Sequence, residues 1–417
     1  MKLKLQQQLK LNNLKLLFIT DNFIPETNAP ASRTHEHCKE WIKKGADVTV
    51  VTSFPNFPEG KVHEGYKNTL KKTEIIDGIK VVRLWSFIRP NKGFVLRILD
   101  QISFAITAFI YLLFVKRKLY DAIIATSPQF FVGLTAMFIS KFKTIPWFIE
   151  IRDLWPEGII LINRDGLLYK FLEKIEFLYY HYSTGIITVT SSYKTNIINR
   201  FNIPEDKIAV VYNGSNNKLF KFTKKSISLT KKIGLQDKFI FGYAGTIGIS
   251  HALDFILNCS KEIYNFNERI HFLFIGSGAE YQNLKSLIKI KGLTNVTLLP
   301  SVRKEEVPKY LSIFDCGLVN LKKYDGYLKV IPSKIFELAA MNKPILLGVQ
   351  GESELILNRY HAGRCFEPEN KIEFIKSCKK LFKDDLKQYE QGLFKLSQDF
   401  DRKILAHKMY EFIKQKI

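Results

Sequence analysis

Long apolar runs are missing from this chain. Its longest uncharged apolar stretch, residues 102–115, ends at Lys116-Arg117-Lys118 and falls short of the about 18 residues a membrane-spanning helix needs. The first fifteen residues are rich in Lys, Gln, Leu and Asn without a continuous apolar centre, which does not read as a secretory leader. Cysteine is scarce, and Cys38, Cys259, Cys316, Cys365 and Cys378 show no paired spacing. Neither a disulfide framework nor a zinc site is expected, in keeping with a reducing compartment. The eight histidines form no H-E-x-x-H pair, and Asp399-Phe400-Asp401, although spaced as D-x-D, fits a helix cap better than a metal site. No metal is therefore expected. Neither a P-loop nor a G-x-S-x-G elbow occurs.

Acidic residues are also short: 40 Asp+Glu face 63 Lys+Arg, a net charge of +23. The excess is spread, with 29 bases against 19 acids up to Asn217 and 34 against 21 beyond it. Such a field attracts anionic lipid, nucleotide phosphate or nucleic acid, or simply keeps lysine-rich faces solvated. RNA recognition adds aromatic platforms, whereas the aromatics here follow core periodicity, so no nucleic-acid partner is expected. With 46% apolar and 25% charged residues the chain is globular, and 417 residues favour two domains.

What is present is an alternation of short β-rich runs and longer helical patterns, the rhythm of parallel sheets joined by crossover helices. Strands are expected at residues 15–20, 47–53, 80–85, 121–127, 146–152, 185–190 and 207–212. A second series follows at 239–244, 271–275, 296–299, 316–321, 344–349 and 364–366. Helices between them include 29–44, 94–118, 252–264, 279–291, 305–313 and 333–341. Residues 54–78 read as a long surface excursion, and 213–238 as a polar, basic linker. The expectation is an α/β chain of two Rossmann-like, doubly wound domains facing a cleft: residues 1–217, residues 218–398, and a terminal helix, 399–417, that returns to the first domain. Strand C-termini would face the ligand in each.

Two glycine loops follow expected strands, Phe241-Gly242-Tyr243-Ala244-Gly245-Thr246-Ile247-Gly248 and Phe274-Ile275-Gly276-Ser277-Gly278. Glycine lets backbone approach phosphate, and a helix N-terminus adds N–H groups; tight strand-to-helix turns use glycine without a ligand too. Pro332-Ser333-Lys334-Ile335-Phe336-Glu337 is more distinctive. Pro332 suits a first helical position, and Ser333 can offer its hydroxyl at the helix start. Lys334 in the first turn opposes the helix dipole, which favours an anion nearby. Glu337, one turn beyond Ser333, can accept two ribose hydroxyls. An exposed, Ser-capped turn explains the same residues. In the first half, Glu150-Ile151-Arg152-Asp153-Leu154-Trp155-Pro156-Glu157 ends a strand, leaving either cleft-facing charges or a buried Asp–Arg pair. Asn22 and Glu26, after the first strand, and Arg33 in the next helix are placed to line the same cleft as acceptor ligands. Residues 91–118 combine apolar surface with a basic end, as an interfacial helix or a buried sheet-packing one.

In this order the segments resemble the family-4 retaining glycosyltransferases of the GT-B fold over nearly the whole chain. The anchors are residues 18–26 and 48–58, Arg152-Asp153-Leu154-Trp155-Pro156-Glu157, Tyr212-Asn213-Gly214 and Pro332-Ser333-Lys334-Ile335-Phe336-Glu337. The Asp-Leu-Trp-Pro and Pro-Ser-Lys pair is similar to fucosyl- and N-acetylfucosaminyl-type transferases of bacterial surface polysaccharide synthesis. The resemblance implies a nucleotide-diphospho-sugar donor and a lipid-diphosphate-linked glycan acceptor, in O-antigen or capsule synthesis, with retention and no cofactor. It also implies a cytoplasmic enzyme peripheral to the anionic inner face of the plasma membrane. Glu337 would bind the ribose, with Ser333, Lys334, Gly245, Thr246 and Gly276 at the diphosphate. Pro300, Ser301 and Val302 would lie beside the base, and Arg152 and Asp153 near the donor sugar.

Three positions depart from the family pattern: Thr246 stands where the family has Arg, His251 where it has Lys, and Lys329 where it has Glu. Lys334, Lys329 and helix-end N–H groups are left to meet the phosphates. Nucleotide-sugar 2-epimerases share the architecture but need an acid/base set around the sugar C2 that is not evident. A basic nucleic-acid binder is the other alternative.

Overall fold

The computed structural model describes residues 14–57, 59–89, 94–117, 119–157 and 166–417. Residues 1–13 of the Lys/Gln-rich start, residues 91–93 and Lys118 of the basic-ended segment, and Pro58 lie outside the described residues. Two compact units result, one holding the chain up to Asn213 together with Arg402–Ile417, the other holding Gly214–Asp401.

The first unit runs β1 (Lys15–Ile19), α1 (Ala29–Lys43), β2 (Asp47–Ser53), β3 (Lys71–Ile76), β4 (Ile79–Leu84), α2 (Phe94–Phe114), β5 (Ala122–Thr126) and α3 (Val132–Lys143). It continues with β6 (Trp147–Ile151), α4 (Leu167–Tyr182), β7 (Gly185–Thr188), α5 (Ser191–Phe201) and β8 (Ile208–Val210). Its sheet has the order β3-β4-β2-β1-β5-β6-β7-β8, and every pair is parallel except β3 with β4. The central strands are apolar at consecutive positions because both faces are covered. Leu17 and Ile19 point into a core shared with α2, α3 and α4, while Leu16 and Phe18 point into a second core under α1. Asn28 caps α1 through its side chain, which accepts the Ala31 N–H at 2.9 Å.

The second unit runs α6 (Ile227–Lys232), β9 (Phe239–Ala244), α7 (Leu253–Phe266), β10 (Ile270–Ile275), α8 (Tyr281–Ile290), β11 (Val296–Leu299), α9 (Val307–Ser312) and β12 (Cys316–Asn320). Then come α10 (Lys334–Ala340), β13 (Ile345–Gly348), α11 (Glu352–Tyr360), β14 (Gly363–Cys365), α12 (Lys371–Lys383) and α13 (Glu390–Asp399). Its all-parallel sheet has the order β11-β10-β9-β12-β13-β14. The units are thus two Rossmann-like doubly wound sheets, as the alternating rhythm predicts.

Three local expectations need correction. The excursion at residues 54–78 contains β3, an antiparallel edge strand whose mostly exposed, Lys/Glu-bearing sequence hides it from a hydrophobicity reading. The expected linker contains the short α6, capped by Ser226. The glycine loop after β9 does not open a helix directly, because a 3₁₀ turn at Ile249–His251 intervenes before α7.

The last helix, α14 (Arg402–Lys416), returns to the first unit and lies against α1. Trp41 Nε1 donates to the Ala406 carbonyl at 2.8 Å, Arg402 pairs with Glu36 at 2.7 Å, and Leu405, Met409 and Ile413 join the core that contains Leu16 and Phe18. Because Met409 is fully buried, Met409→Ala is expected to destabilise the first unit by about 2–5 kcal/mol. Urea unfolding followed by tryptophan fluorescence checks this, and an unchanged midpoint would remove α14 from that core.

Candidate functional site

In open parallel sheets, ligands sit beyond the strand C-termini where the strand order reverses. In the second unit that point lies between β9 and β12. Three strand-end loops are laced together there. Gly245 N donates to Ile275 O at 2.9 Å, Ile247 N to Ser277 O at 2.8 Å, and Gly276 N to Leu299 O at 3.1 Å. A Cβ on Gly276 would collide with the Gly245 carbonyl, so the close approach of the two loops requires glycine. Asn320, ending β12, donates through Nδ2 to the His251 carbonyl at 2.9 Å and closes the switch point.

Lys334 begins α10 and crosses to the first of these loops. A Cβ on Gly245 would lie 2.7 Å from Lys334 Nζ, and Gly245 holds φ +142°, which a side chain would disfavour. The ammonium sits 5.1 Å from the Tyr243 ring centroid, a cation–π contact, and Tyr243 in turn donates to the Thr246 carbonyl at 2.5 Å. Burial lowers the Lys334 ammonium from its ordinary value, with Glu337 opposing. Burial, followed by the charge of Lys334, also pushes His251 down to about 4, so its ring is neutral at pH 7 and adds no cation. Ser333 occupies the N-cap position of α10 but makes no side-chain cap bond, which leaves its hydroxyl uncommitted. Glu337 is half-buried one turn on. Thr246 is exposed, Gly276 is buried, Val302 is half-buried, and Pro300 and Ser301 are exposed after β11. Lys329 ends the 3₁₀ turn Asp325–Lys329.

In the first unit the reversal lies between β1 and β5. Gln129, after β5, donates to Asn22 Oδ1 at 3.0 Å across it. Glu26 Oε1 accepts the N–H groups of Asn56 and Phe57 at 2.8 and 2.9 Å, which fixes the loop after β2.

Arg33 is drawn into the interior of the unit. It is 1% exposed, its Nε meets Glu150 Oε1 at 2.8 Å, and its two terminal nitrogens donate to the carbonyls of Tyr212 and Val211. The physical reason is Glu150, a carboxylate inside β6 that needs a counter-charge; its second oxygen accepts Thr126 Oγ1 at 2.7 Å. Burial would raise Glu150, but Arg33 and Arg152 outweigh it and hold the carboxyl below its ordinary value. The buried acid–base pair anticipated in this segment is therefore Arg33–Glu150, not Arg152–Asp153. These contacts engage all three nitrogens of Arg33 and use three of its five N–H groups. Arg152, just past β6, keeps two buried nitrogens, Nε and Nη1, without an acceptor among the described residues, while Asp153 is exposed.

Sequence reasoning missed Tyr243, Asn320 and Gln129, which position backbone and side chains at the two switch points. Only strand order, invisible in a linear sequence, singles them out. Among the described residues, no group of three or more His, Cys, Asp or Glu is placed to hold a metal ion, and no helix is long and apolar enough to cross a membrane. Asp399 accepts the Tyr360 hydroxyl at 2.6 Å.

Two family models match in tandem: Glycosyltransferase Family 4 over residues 31–218 and Glycosyl transferases group 1 over residues 227–395. The Escherichia coli K12 colanic acid biosynthesis protein WcaI is 22% identical over 82% of this chain and 85% of its own length. The Bacillus subtilis teichuronic acid biosynthesis protein TuaH is 27% identical over 56% of this chain and 57% of its own. Among solved structures, Anabaena HepE in complex with UDP-glucose superposes with a TM-score of 0.68 at 14% identity, covering 96% of this chain and all of that one. Sucrose-phosphate synthase from Thermosynechococcus elongatus reaches 0.75 at 13% identity, covering 96% and 98%. Two doubly wound sheets, loops closed by glycine at the switch point of the second, and the tandem family match lead to one conclusion: the chain is a glycosyltransferase of the GT-B fold, combining the family 4 and group 1 halves.

Proposed function

We propose that this enzyme moves a sugar from a nucleotide-diphospho-sugar, bound by the second unit, to a lipid-diphosphate-linked glycan, bound by the first, with retention and without a metal. The observation that carries the reading is Lys334, a cation lowered by burial with Glu337 opposing and with no ion pair among the described residues, held against the Gly245 loop. An unpaired buried charge is costly unless an anion completes it, and a diphosphate would. As the bond from the anomeric carbon to the diphosphate breaks, negative charge grows on the leaving oxygen. Lys334 and the loop N–H groups stabilise that charge, which is electrostatic catalysis by fixed groups. The Ser333 hydroxyl adds a donor, Glu337 takes the ribose hydroxyls, Val302 flanks the base, and Arg152 and Asp153 serve the donor sugar. Retention rests on the family resemblance alone, as does the fucosyl-type donor.

The names of relatives support a role in surface polysaccharide synthesis, since colanic and teichuronic acid proteins are among them. A second observation supports a lipid-linked acceptor and a peripheral place on an anionic bilayer. Ile106, Ile110, Phe114, Phe138 and Phe142 on α2 and α3 are 50–86% exposed, and Lys116, Arg117 and Lys141 flank them. An apolar face with a basic rim matches a headgroup interface.

Three measurements test this. UDP or GDP should raise the melting temperature of the wild type, because a ligand of the folded state must stabilise it. Glu337→Ala should weaken that nucleotide by about tenfold, the loss of one charge-assisted hydrogen bond; no response to any nucleotide at millimolar concentration would defeat the donor-site reading. Lys334→Met should abolish the nucleotide response while raising ligand-free stability by about 1–2 kcal/mol, and a fall in ligand-free stability would mean that the cation is structurally paired. Phosphatidylglycerol vesicles should sediment the wild type, and Phe114→Ser with Phe142→Ser should weaken this at least tenfold, since burying one Phe contributes about 1.5–3 kcal/mol. Equal sedimentation of the variant would exclude that face.

A further inference from the structure

One side of the second unit is lined with lysine and takes no part in the donor site. α12 turns Phe374, Cys378 and Leu381 into the unit, where Phe374 meets Phe255 of α7 and Phe272 of β10. Beside α7, the rest of α12 borders a groove of about 590 Å³. Lys371, Lys376, Lys379, Lys380 and Lys383 stand around it, and Glu262 of α7 is the one acid that lines it among the described residues.

Lys371 pairs with Glu262 at 2.9 Å. The other four lysines form no ion pair among the described residues. Instead, the ammonium groups of Lys379 and Lys383 lie 4.8 and 5.5 Å from the centroid of the Phe266 ring. Lys376, Lys379, Lys380 and Lys383 recur at three- and four-residue spacing and so share one helix face. The row from Lys371 to Lys383 is about 18 Å long. Like charges this close repel, and a concave protein wall concentrates their field. The remaining lining is apolar: Ile375 is buried, and Ile372 is 80% exposed.

An occupant has to match both parts, a row of cations and an apolar patch. A phosphate or diphosphate is shorter than the row and gains nothing from Ile372. A bilayer calls for an apolar stripe turned outward, and α12 has turned its own into the core, leaving Ile372 alone among charges. RNA stacks bases on aromatic faces, and the aromatic ring beside this groove, Phe266, already carries two ammonium groups. A helix with carboxylates beside an apolar stripe supplies both parts at the same three- and four-residue spacing.

We propose that the groove between α7 and α12 docks an acidic amphipathic helix of a partner protein. An apolar side chain of that helix rests on Ile372, and its carboxylates meet Lys376, Lys379, Lys380 and Lys383. Docking here is independent of the transferase reading, because no residue of the groove takes part in it.

Fluorescence anisotropy on the full chain tests this with three labelled peptides. One is helical, with leucines along one face and glutamates elsewhere; the second has the same composition scrambled so that the leucines no longer share a face; the third is oligoglutamate. The amphipathic peptide is expected to bind at least about tenfold tighter than either control, and more weakly as salt rises. Lys376→Glu with Lys380→Glu, at two exposed positions, should weaken it about tenfold or more by turning attraction into repulsion. Ile372→Ser should weaken it in the same direction by removing the apolar contact. Both variants should keep the wild-type melting temperature. Equal binding of all three peptides would show a diffuse attraction to the basic surface and overturn the groove. So would binding that both variants leave unchanged, or no binding of any peptide at millimolar concentration. Loss of phosphatidylglycerol vesicle sedimentation in the double variant, without peptide binding by the wild type, would assign the lysines to a bilayer instead.

Discussion

Every strand except β3 runs parallel to its neighbours, and that constraint governs the rest. A parallel strand cannot turn straight back; its chain must cross a face of the sheet as a helix before the next strand begins. The crossovers cover both faces, which forces the consecutive apolar positions seen in Leu16, Leu17, Phe18 and Ile19. They also leave the carboxyl ends of the strands as the edge where chemistry can collect. Where successive crossovers go to opposite sides, between β1 and β5 and between β9 and β12, no helix fills the gap. Gln129–Asn22 and Asn320–His251 are the hydrogen bonds that close these gaps from beneath.

At those two edges the protein treats buried charge in two ways. Arg33 is paired: one carboxylate and two carbonyls accept from its three nitrogens, and the pair locks α1 to β6 and to the chain beyond β8. Breaking such a pair leaves an uncompensated charge, which typically destabilises by about 3–5 kcal/mol. Lys334 and Arg152 are less completely paired: Lys334 is lowered by burial with Glu337 opposing, and Arg152, although near Glu150 and Asp153, keeps Nε and Nη1 without a hydrogen-bond acceptor among the described residues. A fold optimised only for stability would replace or pair them. Strain and unsatisfied charge persist where the rest of the structure holds them in place, and they mark functional positions.

Most of the fold was legible because period and composition carry it. The sequence limits of β2, β9 and β11 coincide with the observed strands, since each is a short apolar run bounded by polar or glycine residues. β3 was not legible, because an edge strand exposed on one side has no reason to be apolar. The site was legible in part. Gly245, Gly276, Ser333, Lys334 and Glu337 fall at one carboxyl edge of the second sheet, where the motif spacing suggested. The pairing of Arg33 was not legible, because a cation near a strand end looks the same in sequence whether it faces a ligand or neutralises Glu150. That distinction depends on a contact 117 residues away in the chain.

The two units differ in what they leave unsatisfied. The second keeps Lys334 against its glycine loop with Glu337 opposing the effect of burial; the first keeps Arg152 Nε and Nη1 without an acceptor among the described residues. On the proposed function, an anionic ligand group would complete the Lys334 site. Linkage then ties occupancy to folding: a ligand at 100 times its dissociation constant stabilises the unit that binds it by about 2.7 kcal/mol. That is comparable to the cost of a buried, unpaired polar group or charge. On the proposed function, the free enzyme can tolerate an incompletely paired cation at a switch point because a bound ligand would supply the missing partner.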